Sequence, residues 1–232
     1  MPGSQPRARE RIGSLTMERL RITYAKSEGL RYTGNLDVHK IWERLLRRAR
    51  LPLAYSQGFH PQPRINQAAP LPLGLISRVE MVDIWLEEDI PLDVVTQSLV
   101  KTAPPGLEIN NVTLVDPRAP ALPTVVRSSQ YLVTLLDRVE PEVLQACLDA
   151  IISSAELVRE RRGKTYNLRP LIEDLAIEPV EDGQVRLRMN LAARESATGR
   201  PDEVLLAMGL DPFAARIERT QLILEPSSSS FN

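Results

Sequence analysis

Apolar positions recur along the chain in two rhythms, an alternation of period two and a stripe of period three to four, and their order outlines the fold. Leu20 to Ala25 alternates as a strand, and Gly29 to Asn35 is a turn-rich connection. Val38, Ile41, Trp42, Leu45 and Leu46 then lie on one face of a helix, with Asn35 or Asp37 placed to cap it and Pro52 just past its end. Tyr55 to Arg64 is a loop punctuated by Gly58, Pro61 and Pro63. Ile65 to Leu71 and Val79 to Leu86 form two strands joined across Pro72, Leu73 and Gly74. A second helix starts at Pro91, carries Val94, Val95, Leu99 and Val100, and stops at Pro104, Pro105 and Gly106. With a strand over Leu107 to Val115 the half reads βαββαβ, the order of a ferredoxin-like unit.

The second half begins to repeat this order. Val125 to Leu136 is a strand, and Pro141 to Ser153 is a helix with Val143, Leu144, Cys147, Leu148, Ile151 and Ile152 as its apolar residues. Glu156 to Leu168 is one extended strand or a hairpin, and Arg169 to Asp174 a turn. Leu175 to Val180 and Gln184 to Ala193 pair over Asp182 and Gly183, Pro201 opens a last helix through Met208, and Ala214 to Leu224 closes the chain as a strand. The fold class expected is therefore α+β, with two tandem ferredoxin-like (βαββαβ) halves, the second less regular. A single mixed sheet is the alternative. The boundaries that follow are a flexible leader over 1–17, a first domain over 18–116, a proline-rich linker over 117–124, a second domain over 125–225 and a serine-rich tail over 226–232.

Composition narrows the function classes. Hydrophobic residues make up 43% and charged residues 25%, ordinary for a folded protein, whereas aromatics are only 4%, so the core rests on Leu, Val, Ile and Ala. The 29 basic and 30 acidic residues nearly cancel, so any nucleic-acid contact must come from local clusters rather than from net charge. Cys147 is the only cysteine, which excludes an intramolecular disulfide, a zinc knuckle and a thiolate-held cluster within this chain. No stretch has the length and apolarity of a signal peptide or a membrane span, so a reducing, cytoplasmic setting is expected, with no cofactor and no metal of the chain's own.

Two basic clusters and one loop are the candidate sites. Arg44, Arg47 and Arg48 lie on the polar face of the first helix, where they would meet phosphates or simply serve as its solvated face, Glu43 pairing with Arg47. Tyr55, Ser56, Gln57, Gly58, Phe59, His60 and Arg64 share the proline-stiffened loop, where Tyr55 and Phe59 would stack bases and Arg64 would meet a phosphate. The competing reading has both aromatics plugging the loop onto the helix. Arg161, Arg162 and Lys164, near Arg159 and Tyr166, form the second cluster at a hairpin suited to single-stranded RNA or to a solvated turn. His60 is the better placed of the two histidines for acid–base chemistry, but no second group is fixed by spacing. Cys147, on an apolar helix face, reads as an inert core thiol.

Several segments carry a family resemblance: RITYAK from Arg21, LRYTGNLD from Leu30, WERLLRRAR from Trp42, LPLAYSQGFHPQP from Leu51, APLPLG from Ala69, VDIWL from Val82, NLRPLI from Asn167 and GRPDEVLLAMGL from Gly199. Through these the sequence resembles the radical SAM-linked proteins, a family of uncharacterised function typically encoded beside, or fused to, radical SAM proteins. The resemblance implies a radical SAM protein as partner and a binding or substrate-presenting role. Where that family has Ser-His-Leu-Asp, this chain has Gly34, Asn35, Leu36 and Asp37, and where it has Asn-Pro-His-Pro, this chain has His60, Pro61, Gln62 and Pro63. Binding survives the two altered histidine positions more easily than catalysis does.

The functional expectation is thus a non-catalytic partner of a radical SAM protein that binds RNA. The alternatives are a metal-independent RNA-processing enzyme with His60 as general acid, by analogy of fold with CRISPR repeat-processing endonucleases, and a purely protein-binding adaptor.

Overall fold

The computed structural model describes residues 17–161, 163–178 and 185–225. The leader up to residue 16, the tail from residue 226, Arg162 and the turn over Asp182 and Gly183 lie outside the described residues.

In the first half, β1 (Glu18–Lys26) leads through a loop to α1 (Asn35–Arg48), β2 (Ile65–Gln67), β3 (Ile76–Leu86), α2 (Leu92–Thr102) and β4 (Leu107–Val115). Alternation places Leu20, Ile22 and Tyr24 of β1 and Val82 and Ile84 of β3 on one face, where they meet Val38, Trp42, Leu45 and Leu46 of α1 and Val95 and Leu99 of α2. Tyr24 meets Trp42 edge to face, with ring centroids 4.9 Å apart. Val94 and Val100, expected to be apolar contacts of α2, are exposed. The cap of α1 is Gly34, which has no side chain, so Asn35 and Asp37 lie inside the first turn instead of capping it. β2 is shorter than expected because Pro70 and Pro72, which have no N–H to donate, turn the chain off the ladder.

In the second half, the expected linker contains a one-turn helix, α3 (Leu122–Val125), before β5 (Val126–Leu135) and α4 (Pro141–Ser153). The Glu156 to Leu168 stretch resolves as a hairpin, β6 (Val158–Arg161) and β7 (Lys164–Asn167), separate from the main sheet. β8 (Ile172–Glu178), β9 (Arg186–Arg194), β10 (Ala197–Thr198), α5 (Pro201–Ala207) and β11 (Ala215–Leu224) complete the chain. Of the apolar α4 residues, Leu144, Leu148 and Ile151 are buried, Cys147 packs at the core's edge, and Val143 and Ile152 are exposed.

The main sheet of the described residues has nine strands. In the first half the order is β4-β1-β3-β2, and in the second β11-β5-β9-β8, with each neighbouring pair antiparallel. The halves meet where β11 pairs in parallel with the start of β3, Glu218 opposite Ile76 and Arg219 opposite Ser77. β2 occupies the same edge of β3 farther along, opposite Val82 to Ile84, so β11 and β3 diverge around it. The molecule is α+β with one large mixed sheet.

A buried polar cluster sits on this seam. The Arg219 guanidinium donates from Nη1 to both Glu80 carboxylate oxygens at 2.9 and 3.0 Å and to Ala69 O at 3.2 Å. Its Nη2 donates to Pro70 O at 3.2 Å and to the Tyr131 hydroxyl at 3.1 Å. Lys26, also buried, donates to the backbone oxygens of Arg31, Thr33 and Leu75 at 3.0–3.3 Å, and burial pushes its ammonium below the usual lysine range. The segment after β2 adds an apolar tie: Leu71 and Leu75 pack among Tyr131, Val133, Leu144, Met189 and Val204 in the core of the second half.

Candidate functional site

Tyr55 to Arg64 folds as a projecting hairpin. Its stem extends β3 at the edge: Leu53 bridges Leu86, Ala54 N donates to Trp85 O at 2.8 Å, and Arg64 N donates to Ala54 O at 2.9 Å. Tyr55 bridges Pro63, Ser56 N donates to Gln62 O at 2.8 Å, and Gln62 N donates to Ser56 Oγ at 3.0 Å. Gly58, at φ 137°, turns the tip. Gln57, Phe59 and His60 all project there, and Phe59 is fully exposed, so it does not plug the loop onto the helix. Tyr55 is also exposed. His60 makes no hydrogen bond or ion pair among the described residues, so no acid–base partner is positioned for it.

At the foot of the hairpin a groove of about 470 Å³ opens between Ser56, Arg64, Asn66, Trp85, Arg19 and Ala119. Arg19 stands on the sheet face opposite the helices, with Arg21 next along that face, because alternation sends both away from Leu20 and Ile22. Asp83 receives both: Arg19 from Nε at 3.0 Å and Nη2 at 2.6 Å, Arg21 from Nε at 2.8 Å and Nη2 at 3.0 Å. Arg19 is further fixed by the backbone oxygens of Ala119 and Pro120, at 2.6 and 2.8 Å. The Trp85 ring has the Arg64 guanidinium 4.7 Å and that of Arg19 5.1 Å from its centroid. Arg19, buried and with its donors taken, and Arg21 share the Asp83 carboxylate, while Arg64 stands over the Trp85 ring at the mouth of the groove, the guanidinium placed to meet a phosphate.

The other candidates lie elsewhere. Arg44, Arg47 and Arg48 are exposed on α1, and among the described residues only Arg47 of these has an acidic partner, Glu43 at 4.0 Å, which His39 also approaches at 3.5 Å. Arg161 and Lys164 face each other across the β6–β7 hairpin, which docks on the second half through Tyr166 and the Arg159 to Glu203 pair at 3.4 Å. Burial and then Glu203 raise the Tyr166 phenol above its ordinary pKa. No hydrogen bond or ion pair joins this hairpin to Tyr55–Arg64 among the described residues. Asn35 lines a different cavity, between the two halves, and Asp37 is exposed in the first turn of α1. Sequence reasoning missed Arg19, Arg21, Asp83 and Trp85; the available signal was two arginines interleaved with Leu20 and Ile22 on a strand whose other face is core.

Among the described residues no group of three or more His, Cys, Asp or Glu side chains could hold a metal ion. No helix there is long and apolar enough to cross a membrane.

A family model described as an uncharacterized protein conserved in bacteria (DUF2344) matches residues 19–201. No curated protein matches the chain. Among solved structures, a chain of a Cbf5-Nop10-Gar1 complex is similar at 10% identity and a TM-score of 0.45, over 88% of this chain and 48% of that one. A chain of the archaeal box H/ACA sRNP Nop10-Cbf5 complex is similar at 14% identity and a TM-score of 0.40, over 88% and 47%. The acetolactate synthase small subunit from Thermotoga maritima gives 13% and 0.27, over 89% and 94%. This chain spans about half the length of the first two. At these identities and scores nothing about activity or ligand follows for it.

Proposed function

We propose that this chain, which belongs to the family of uncharacterized proteins conserved in bacteria (DUF2344), is a non-catalytic module that binds single-stranded RNA and presents it to a radical SAM partner. The observation that carries the RNA part is the fully exposed Phe59 on a hairpin whose foot is the Arg64–Trp85 groove. A base stacks on an aromatic face of any orientation, while the Arg64 guanidinium draws the backbone. The exposed Arg44, Arg47 and Arg48 of α1 lie on the helix side of the same half, away from the groove, and offer a separate basic surface. The radical SAM partner rests on the family resemblance of the sequence. His60, exposed and without a positioned partner, suits a contact role better than that of a general acid. The strand order of each half supports reading the sheet as two ferredoxin-like units joined edge to edge, which gives the hairpin a rigid base.

Fluorescence anisotropy with short labelled single-stranded RNAs, at low and raised salt, tests this. Binding should weaken with salt, and Phe59→Ala should weaken it by about 1–3 kcal/mol, the worth of one stacked base. Arg64→Ala should lower affinity and flatten the salt dependence by about one phosphate contact. Absence of binding at low salt, or a Phe59→Ala protein that binds like the parent, would overturn the RNA reading. Retention of the radical SAM partner alone would then make the module a protein-binding adaptor.

A further inference from the structure

The groove at the foot of the hairpin carries guanidinium groups and amides, and the two differ in what they have left to give. Arg19 is spent: Nε and Nη2 go to Asp83, Nη1 to Ala119 O and Nη2 also to Pro120 O. Arg64 has no acidic partner among the described residues. It stands over the Trp85 ring, and its Nη1 meets only the Met17 thioether, 2.6 Å away, so its charge is left for a phosphate.

Asn66 is the middle residue of β2, held in the ladder opposite Asp83. That carboxylate is wholly buried and has both oxygens taken by Arg19 and Arg21, so it does not engage the amide across from it. The half-buried Asn66 side chain makes no hydrogen bond among the described residues, and it lines the groove. Its donor and its acceptor are both unused. Gln62 brings a second amide, but from the exposed hairpin instead of a strand of the sheet.

Bases are told apart by their edges. A guanidinium fork reads guanine, a carboxylate accepts from the cytosine amino group, and an amide reads adenine by accepting from its 6-amino group and donating to N7. Here Arg19 is committed, Arg64 is placed for a phosphate, and no carboxylate lines the groove, which leaves the amide as the reader. Spacing agrees. Arg64 and Asn66 are two residues apart on the face that carries Trp85, roughly 7 Å along the strand, so a phosphate on one leaves its base beside the other. Pro117, Ala119 and Ala121, from the connection after β4, add an apolar wall for the plane of the base.

We propose that Asn66 is a specificity residue of this groove: it selects adenine, its amide accepting from the 6-amino group and donating to N7, while Arg64 holds the adjoining phosphate. The assignment rests on the RNA reading of the hairpin and takes it from strand to sequence.

Fluorescence anisotropy of the full chain with single-stranded oligouridines that differ only in one central base (adenine, guanine, cytosine or uracil) tests it. The adenine strand should bind about tenfold more tightly than the other three. In Asn66→Ala the adenine strand should fall to the level of the rest. A probe change that leaves the protein untouched gives the same answer: a central purine base, which lacks the 6-amino group, should bind the parent about tenfold more weakly than adenine does. Four strands bound alike, a preference for another base, or an adenine preference that persists in Asn66→Ala would overturn the assignment and leave the RNA reading standing. Absence of binding to every strand at low salt would overturn both.

Discussion

A charge inside a strand is ordinarily assigned to the solvent face, yet Arg19, Lys26, Glu80, Asp83 and Arg219 are all buried. Their partners explain why local pattern hides them. Arg219 and Glu80 are 139 residues apart, and Arg19 and Asp83 are 64 apart, so nothing within a strand's length announces either pair. What the sequence did mark was the Tyr55 to Arg64 loop, by its prolines and glycine, but whether Tyr55 and Phe59 are displayed or plug the loop onto the helix was not legible there. The buried pair makes a sharp prediction. Arg219→Ala leaves the Glu80 carboxylate without the cation that touches it and should cost about 3–5 kcal/mol. Replacing both with apolar side chains removes charge and countercharge together, so the Arg219→Met, Glu80→Leu double variant should lose much less than the sum of the two single changes. Urea unfolding of the four proteins measures this, and additive losses would mean that the pair is not coupled.

At the scale of elements, those with a full amphipathic repeat were legible: α1 and α4 run as their apolar spacing indicates. Elements that depend on backbone partners from afar were not. β2 keeps only three ladder residues, α3 forms within a proline-rich stretch by packing against β2 and β9, and the hairpin gains its shape from backbone bonds to β3. One connection is set by glycine. Gly106, after α2, holds φ 89°, and its backbone oxygen accepts from Ser27 N at 2.9 Å. A Cβ there would lie 2.8 Å from Leu30 N and 2.9 Å from the Gly29 carbonyl carbon, both backbone atoms that cannot swing aside. Gly106→Ala should therefore destabilise the protein by more than about 2 kcal/mol, combining a left-handed backbone with a backbone clash. Thermal unfolding checks it; an unchanged midpoint would show that the Ser27–Leu30 loop moves freely away.

The βαββαβ order of the first half could be read from the sequence, but how the halves associate could not, because the seam is made by a two-residue parallel pairing, a buried guanidinium and two leucines carried across from the other half. Leu71 and Leu75 belong in sequence to the first half, between β2 and β3, and in space to the core of the second. Such an exchange couples the two cores: the second half cannot lose its packing without releasing the segment that connects two strands of the first. Truncating Leu71 should thus cost about 2–5 kcal/mol, the usual loss for a buried leucine, and the loss should be felt on both sides of the seam. Trp42 and Trp85 both lie in the first half, so their fluorescence reports on that half alone, while far-ultraviolet circular dichroism reports on the whole sheet. In Leu71→Ala the two signals should shift together to a lower midpoint. A tryptophan transition that stays at the parent's midpoint while the dichroism transition moves down would show that the halves unfold separately, and that the shared sheet is a contact between two domains rather than one cooperative body.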